Sequence, residues 1–152
     1  GPLASFSAAR ALGELMHDVG YASGVFDMFH VGHLNLLRRA REHCSILVVG
    51  VASDDYVLAL NGQEPVVPLA ERLEIVRSLK FVDEVLIDRS EDKRVAWRER
   101  NFDAIFKGDD WRGSPKGDRL EAAMAEVGVQ SFGAGCTKKY SAQYKKPLWV
   151  IA

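Results

Sequence analysis

The chain is poor in cysteine: Cys44 and Cys136 are its only two in 152 residues, far apart and without CxxC spacing. That excludes a disulfide framework and a cysteine-built zinc site, and the expected compartment is the cytoplasm. No apolar stretch approaches the ~18 residues that a membrane-spanning helix requires. The amino terminus has no basic segment leading into an apolar one, as a secretory signal would. Net charge is nearly missing too. Twenty Lys and Arg face 21 Asp and Glu, for a formal charge of −1. That argues against a nucleic-acid binder and means that any anion is held by local geometry. No Pro/Gly/Ser-rich linker, repeat or low-complexity tract divides the chain. What remains is ordinary globular composition, 47% hydrophobic and 27% charged, at a length that suits one domain burying about two-thirds of its unfolded surface. Gly1-Pro2 reads as a protease-cleavage scar.

The apolar residues follow two alternating periods. Residues 45–52 are almost continuously apolar and β-branched, as in a strand buried on both faces of a parallel sheet. Residues 19–26, 81–87 and 103–106 read as further strands, and 127–132 as a weaker one. Between them the period lengthens. Leu34, Leu37, Ala40 and Arg41 recur at helical spacing in 32–43, and Leu69, Leu73, Val76 and Leu79 form a stripe behind Pro68, a helix-start signal. Residues 92–100 and 116–126 are helical as well. Strands alternating with helices predict an α/β fold: a doubly wound, Rossmann-like parallel sheet flanked by helices, in a single domain over 19–132. Before it, the amphipathic stretch 3–18 predicts a leader helix packed on the domain, with a partner-binding helix as the alternative.

The chemistry concentrates in residues 24–34, Gly-Val-Phe-Asp-Met-Phe-His-Val-Gly-His-Leu, which follow the first strand and open the first helix. Ligands of open α/β sheets bind at the carboxyl ends of the strands, and a helix N-terminus offers free N–H groups to phosphate. Gly32 lets the backbone come close. His30 and His33 can donate hydrogen bonds to oxygens of a reacting phosphoryl group, which needs positioning and charge stabilisation above all. Asp27 orients a histidine, shapes the nucleophile's surroundings or caps the turn. His17, in the leader, and His43, near a helix end, carry no catalytic expectation. Gly108-Asp109-Asp110-Trp111 directly follows the 103–106 strand and so lies at that strand's carboxyl end. The two motifs meet at one rim if their strands are neighbours. There the glycine and acidic pair would hydrogen-bond a base edge or ribose, and Trp111 would stack or form a wall. Arg72 is either a phosphate contact or a solvated helix-face arginine.

His30-Val31-Gly32-His33 matches the HxGH signature, and the longer string around it resembles the cytidylyltransferase branch of the HxGH nucleotidyltransferase superfamily, glycerol-3-phosphate cytidylyltransferase above all. The resemblance continues, in order, through Glu71-Arg72, the strand Phe81-Val82-Asp83-Glu84-Val85 and Lys107-Gly108-Asp109-Asp110-Trp111, and spans about 19–132. It implies transfer of CMP from CTP to a small phosphorylated alcohol, glycerol 3-phosphate first, with release of pyrophosphate. It implies catalytic roles for His30 and His33, and nucleotide or phosphate contacts from Gly24, Phe26, Asp27, Gly32, Arg72, Gly108, Asp109, Asp110 and Trp111. Mg²⁺ suits this chemistry, carried mainly by the triphosphate with no protein ligand assigned. A homodimer is the implied assembly. An adenylyltransferase using ATP is the neighbouring alternative.

Two departures from that branch stand out. The stretch 58–68 lacks the lysine that the branch carries before its Glu-Arg helix, a cationic contact worth several kcal/mol in phosphoryl-type transfer. The tail 133–152 lacks the branch's closing Ser-Thr-Thr segment and ends basic, then apolar, in Lys145-Lys146-Pro147-Leu148-Trp149-Val150-Ile151-Ala152. Both motivate a second class of function: a nucleotide-binding domain without turnover.

Overall fold

The apolar run at 45–52 forms the strand β2 (Cys44–Ala52), next to the centre of the sheet, in a computed structural model that describes residues 16–108 and 113–133. Around it the chain runs β1 (His17–Gly24), α1 (Val31–Glu42), β2, α2 (Asp54–Asn61), α3 (Leu69–Arg77), β3 (Glu84–Asp88), α4 (Arg94–Glu99), β4 (Ala104–Lys107), α5 (Pro115–Glu126) and β5 (Gln130–Gly133). All pairings are parallel, in the order β3-β2-β1-β4-β5. The expected Rossmann-like α/β architecture is what forms.

The sheet is covered on both faces, which is why β2 reads as unbroken apolar sequence. Leu47, Val49 and Val51 face one way, into a core with Leu36, Leu37 and Ala40 of α1 and Val76 of α3. Val48 faces the other way and packs with Tyr21, Ala96 of α4, Phe102, Ile105 and Met124 of α5. Residue 50 shares that second face by alternation and is a glycine because a Cβ there would overlap the Tyr21 hydroxyl.

The boundaries move where side chains compete with the ladder. β1 starts at His17, so His17 and Asp18 belong to the sheet and not to a leader helix; Asp103 holds this start by accepting from the amides of Asp18 and Val19. Residues 3–15 lie outside the described residues. The strand expected from 81 begins at Glu84, after Asp83 has bonded Leu47 through both its amide and its carboxylate. The helix α2 (Asp54–Asn61) is one that the apolar periodicity does not predict. It buries Val57 alone and shows no apolar stripe, yet both its ends are signposted. Ser53 Oγ caps Tyr56 N at 3.1 Å, and Gly62 closes it at φ 75°. His17 and His43 sit at the amino-terminal edge of the sheet, where His17 N bonds His43 O.

Candidate active site

From β1 the chain steps to β2 and β3 on one side, then returns to lay β4 against the other edge of β1. The order therefore reverses between β1 and β4, whose register aligns Gly20 with Ala104 and Ala22 with Phe106. A crevice opens outside the carboxyl ends of such a pair. Both sequence motifs start from it, the histidine segment after Gly24 and Gly108 after Lys107. Asp109, Asp110 and Trp111 lie outside the described residues. A cleft of about 600 Å³ spans this rim from Gly24 and Ala52 to Lys107 and Gly117, and a pocket of about 380 Å³ adjoins it, sharing Gly24 and Val25 and bounded by Phe26, His33 and residues 63–66.

The turn between β1 and α1 is strained. Phe26 and Met28 have φ of 55° and 51°, a left-handed conformation that costs non-glycine residues on the order of 1–2 kcal/mol each. Phe26 is thereby driven into the core and meets His33 edge-on, ring centres 5.5 Å apart. It packs in the core and also borders the smaller pocket; a Cβ at Gly24 would press on its ring.

The histidines cap the helix reciprocally. Gly32 N donates to Nδ1 of His30 at 3.0 Å, and His30 N donates to Nδ1 of His33 at 3.2 Å. The rings stack with centres 3.9 Å apart. Because each Nδ1 accepts, each neutral ring carries its proton on Nε2. Burial lowers the pKa of His33 to about 4, helped by the charge of His30 and opposed by Asp27, and burial lowers that of His30 as well. Both rings are neutral donors near pH 7. Gly32 is buried, and its amide is engaged by His30 in the cap.

Asp27 and Arg72 stand elsewhere than expected. Asp27 accepts from the amides of Val66 and Val67 at 2.8 and 2.9 Å, ties to a distant loop and not to a histidine. Arg72 is 1% exposed. Its guanidinium donates to the carbonyls of Val67, Val25 and Ala52 and to Asp54, at 2.6 to 2.8 Å. A side chain so enclosed and so fully engaged is neither a solvated helix-face arginine nor placed to meet a phosphate.

Cations that sequence reasoning passed over take its place. Lys93, Arg94, Lys107, Lys116 and Arg119 line the large cleft. Lys107 ends β4 and Lys116 lies in the first turn of α5, positions readable from sequence once a strand end and a Pro-started helix are recognised. Lys93 is buried and bonds Asp88 at 2.6 Å, Ser90 O at 2.8 Å and Tyr56 at 3.3 Å. Asp88, Glu91 and Asp92 line the same cleft, and Lys93 pairs with Asp88 and Arg94 with Asp92 and Glu126, so its charge is mixed, with Lys107, Lys116 and Arg119 on the side of β4 and α5.

Fold and site together define a Rossmann-like α/β domain with a histidine-capped helix at its switch point. The chain belongs to the cytidylyltransferase-like family, whose model matches residues 21–140. It is 42% identical over 113 residues to the ethanolamine-phosphate cytidylyltransferase of Arabidopsis thaliana, an alignment covering 71% of this chain and 27% of that protein. It is 39% identical over 112 residues to the FAD synthase of Thermococcus onnurineus, covering 72% of this chain and 73% of that one. The chain thus spans about a quarter of the plant enzyme's length. A crystal structure of the lipopolysaccharide core biosynthesis protein from Thermoplasma volcanium superposes with a TM-score of 0.67 at 28% identity, covering 77% of this chain and 95% of that one.

Proposed function

We propose that the chain transfers CMP from CTP to a small phosphorylated alcohol, glycerol 3-phosphate first, with release of pyrophosphate. The observation that carries this is the paired cap: two neutral imidazoles, fixed by their Nδ1 atoms, with their protons on Nε2 at the rim beside the cleft. An oxygen of the acceptor's phosphate attacks the α-phosphorus in line. The bond from that phosphorus to the bridging oxygen breaks, and pyrophosphate leaves with the electron pair. His30 and His33 donate to the oxygens on which charge accumulates. The cations of the large cleft support binding of the triphosphate, and Gly108 to Trp111 complete the base pocket in this reading. Mg²⁺ held mainly by triphosphate oxygens belongs to the same reading. A homodimer in the cytoplasm completes the proposal. Among the described residues no helix is long and apolar enough to cross a membrane.

Two alternatives have support. The likeness to FAD synthase, an adenylyltransferase, favours ATP as the nucleotide. Among the described residues the smaller pocket has no Lys or Arg in its lining, which favours a nucleotide binder without turnover. The deciding experiment measures pyrophosphate release with CTP or ATP against a panel of phosphorylated alcohols. CTP with glycerol 3-phosphate is expected to turn over, and His30→Ala to reduce the rate by about 100-fold or more. Calorimetric binding of CTP without pyrophosphate from any acceptor establishes the binder instead.

A further inference from the structure

The loop 62–68, between α2 and α3, forms the outer wall of the smaller pocket, with Gln63, Glu64, Pro65 and Val66 opposite Phe26 and His33. Most of this loop is exposed. A short exposed segment keeps no fixed distance from a facing wall unless it is tied down. It is tied on both sides of Val67. The amides of Val66 and Val67 donate to the two carboxylate oxygens of Asp27, at 2.8 and 2.9 Å. The Val67 carbonyl accepts from Arg72 Nε at 2.7 Å. From the same guanidinium, Nη1 reaches Val25 O at 2.8 Å and Ala52 O at 2.7 Å, and Nη2 reaches Asp54 at 2.6 Å. One planar group thus joins the ends of β1 and β2, the start of α2 and the loop. Only the fixed fork of an arginine spans four such acceptors. On the other side of the pocket, Asp27 lies between the two left-handed residues Phe26 and Met28. Strain of that kind persists where the surroundings over-determine it. Here the turn sends Phe26 inward against His33 and Asp27 outward to the loop.

We propose that Asp27 and Arg72 form a latch that fixes the distance of loop 62–68 from His33, so that both are positioning residues for the transfer and not ligands of the nucleotide. This rests on the reading that His30 and His33 face the reacting phosphate. The test compares Asp27→Ala, Asp27→Asn and Arg72→Lys, with kcat and the KM of each substrate measured separately. Amide hydrogen exchange and the NMR signals of the His33 ring are followed in parallel. In Asp27→Ala and Arg72→Lys, kcat falls about 100-fold while each KM moves less than about threefold. Asp27→Asn keeps one acceptor oxygen, and its kcat falls between those of the wild type and Asp27→Ala. The amides of Val66 and Val67 lose protection while those of Val48 and Val49 keep theirs, and the His33 ring signals shift. A nucleotide KM rising in step with the loss of rate returns Arg72 to phosphate contact and overturns the latch. Wild-type kcat in Asp27→Ala, with exchange at Val66 and Val67 accelerated, also overturns it. Should Arg72→Lys not fold, the Asp27 variants decide. Should the wild-type chain release no pyrophosphate, the proposed transfer fails, and the latch stands or falls on the His33 signals of Asp27→Asn, unchanged signals overturning it.

Discussion

His33 shows how much one residue depends on its neighbours. Its type and spacing are visible in the sequence, but its protonation is a property of the place where it is folded. Edge-on contact with Phe26 and the stacked His30 leave it little water, and its pKa falls to about 4. A base with a depressed folded pKa binds fewer protons folded than unfolded between the two values. Its contribution to stability is therefore complete above about pH 6.5 and is lost as the pH falls toward about 4. For His33 the loss amounts to about 3 kcal/mol. Protonation of His33 Nδ1 also turns the acceptor for the His30 amide into a donor, so one of the two capping bonds of α1 is lost in the same window. Denaturant titrations are expected to show stability falling from about pH 6.5 to about pH 4, with the slope flattened in His33→Gln. A slope unchanged by that substitution assigns the pH dependence to other groups.

Among the elements, α4 is the shortest helix described, and a buried ion pair stands at its start. It spans six residues, Arg94–Glu99, and Lys93 at its N-cap makes no side-chain capping bond to it. Instead Lys93 anchors it to the end of β3 through Asp88, with both side chains almost fully buried. A buried pair is weak evidence of net stabilisation, but removing one partner strands the other charge. Lys93→Met is expected to destabilise the fold by about 3–5 kcal/mol, read as a shift in denaturation midpoint. The double variant Lys93→Met with Asp88→Leu should recover much of that loss. The same comparison explains what sequence shows of helices. α1, α3 and α5 bury apolar positions at helical spacing and were readable, whereas α2 buries only Val57 and is marked by its caps alone. Its capping signals, Ser53 and Gly62, were there to be read.

For the molecule as a whole, ligand recognition depends on the reversal of strand order between β1 and β4, which brings Gly24 and Lys107 together from far apart in sequence. Nucleotide binding at this cleft is expected to raise unfolding free energy by about 2.7 kcal/mol at a concentration of 100 times Kd. Thermal unfolding with CTP and with ATP checks this, and Lys107→Glu should remove most of the gain. The larger shift identifies the preferred base. The alternation of apolar strands with amphipathic helices was enough to specify a doubly wound sheet, because burial on two faces imposes its period on every strand. The histidine pair was equally legible, because its spacing is local. Strand order is not local, and neither are the contacts that follow from it. Arg72 looks like any helix arginine until the ends of β1 and β2 close around it, and Lys107, Lys116 and Arg119 look like part of an even balance of charge until β4 and α5 carry them to one cleft. Local chemistry could be read along the chain; which groups meet, and which are spent on holding the site together, depended on contacts between segments distant in sequence.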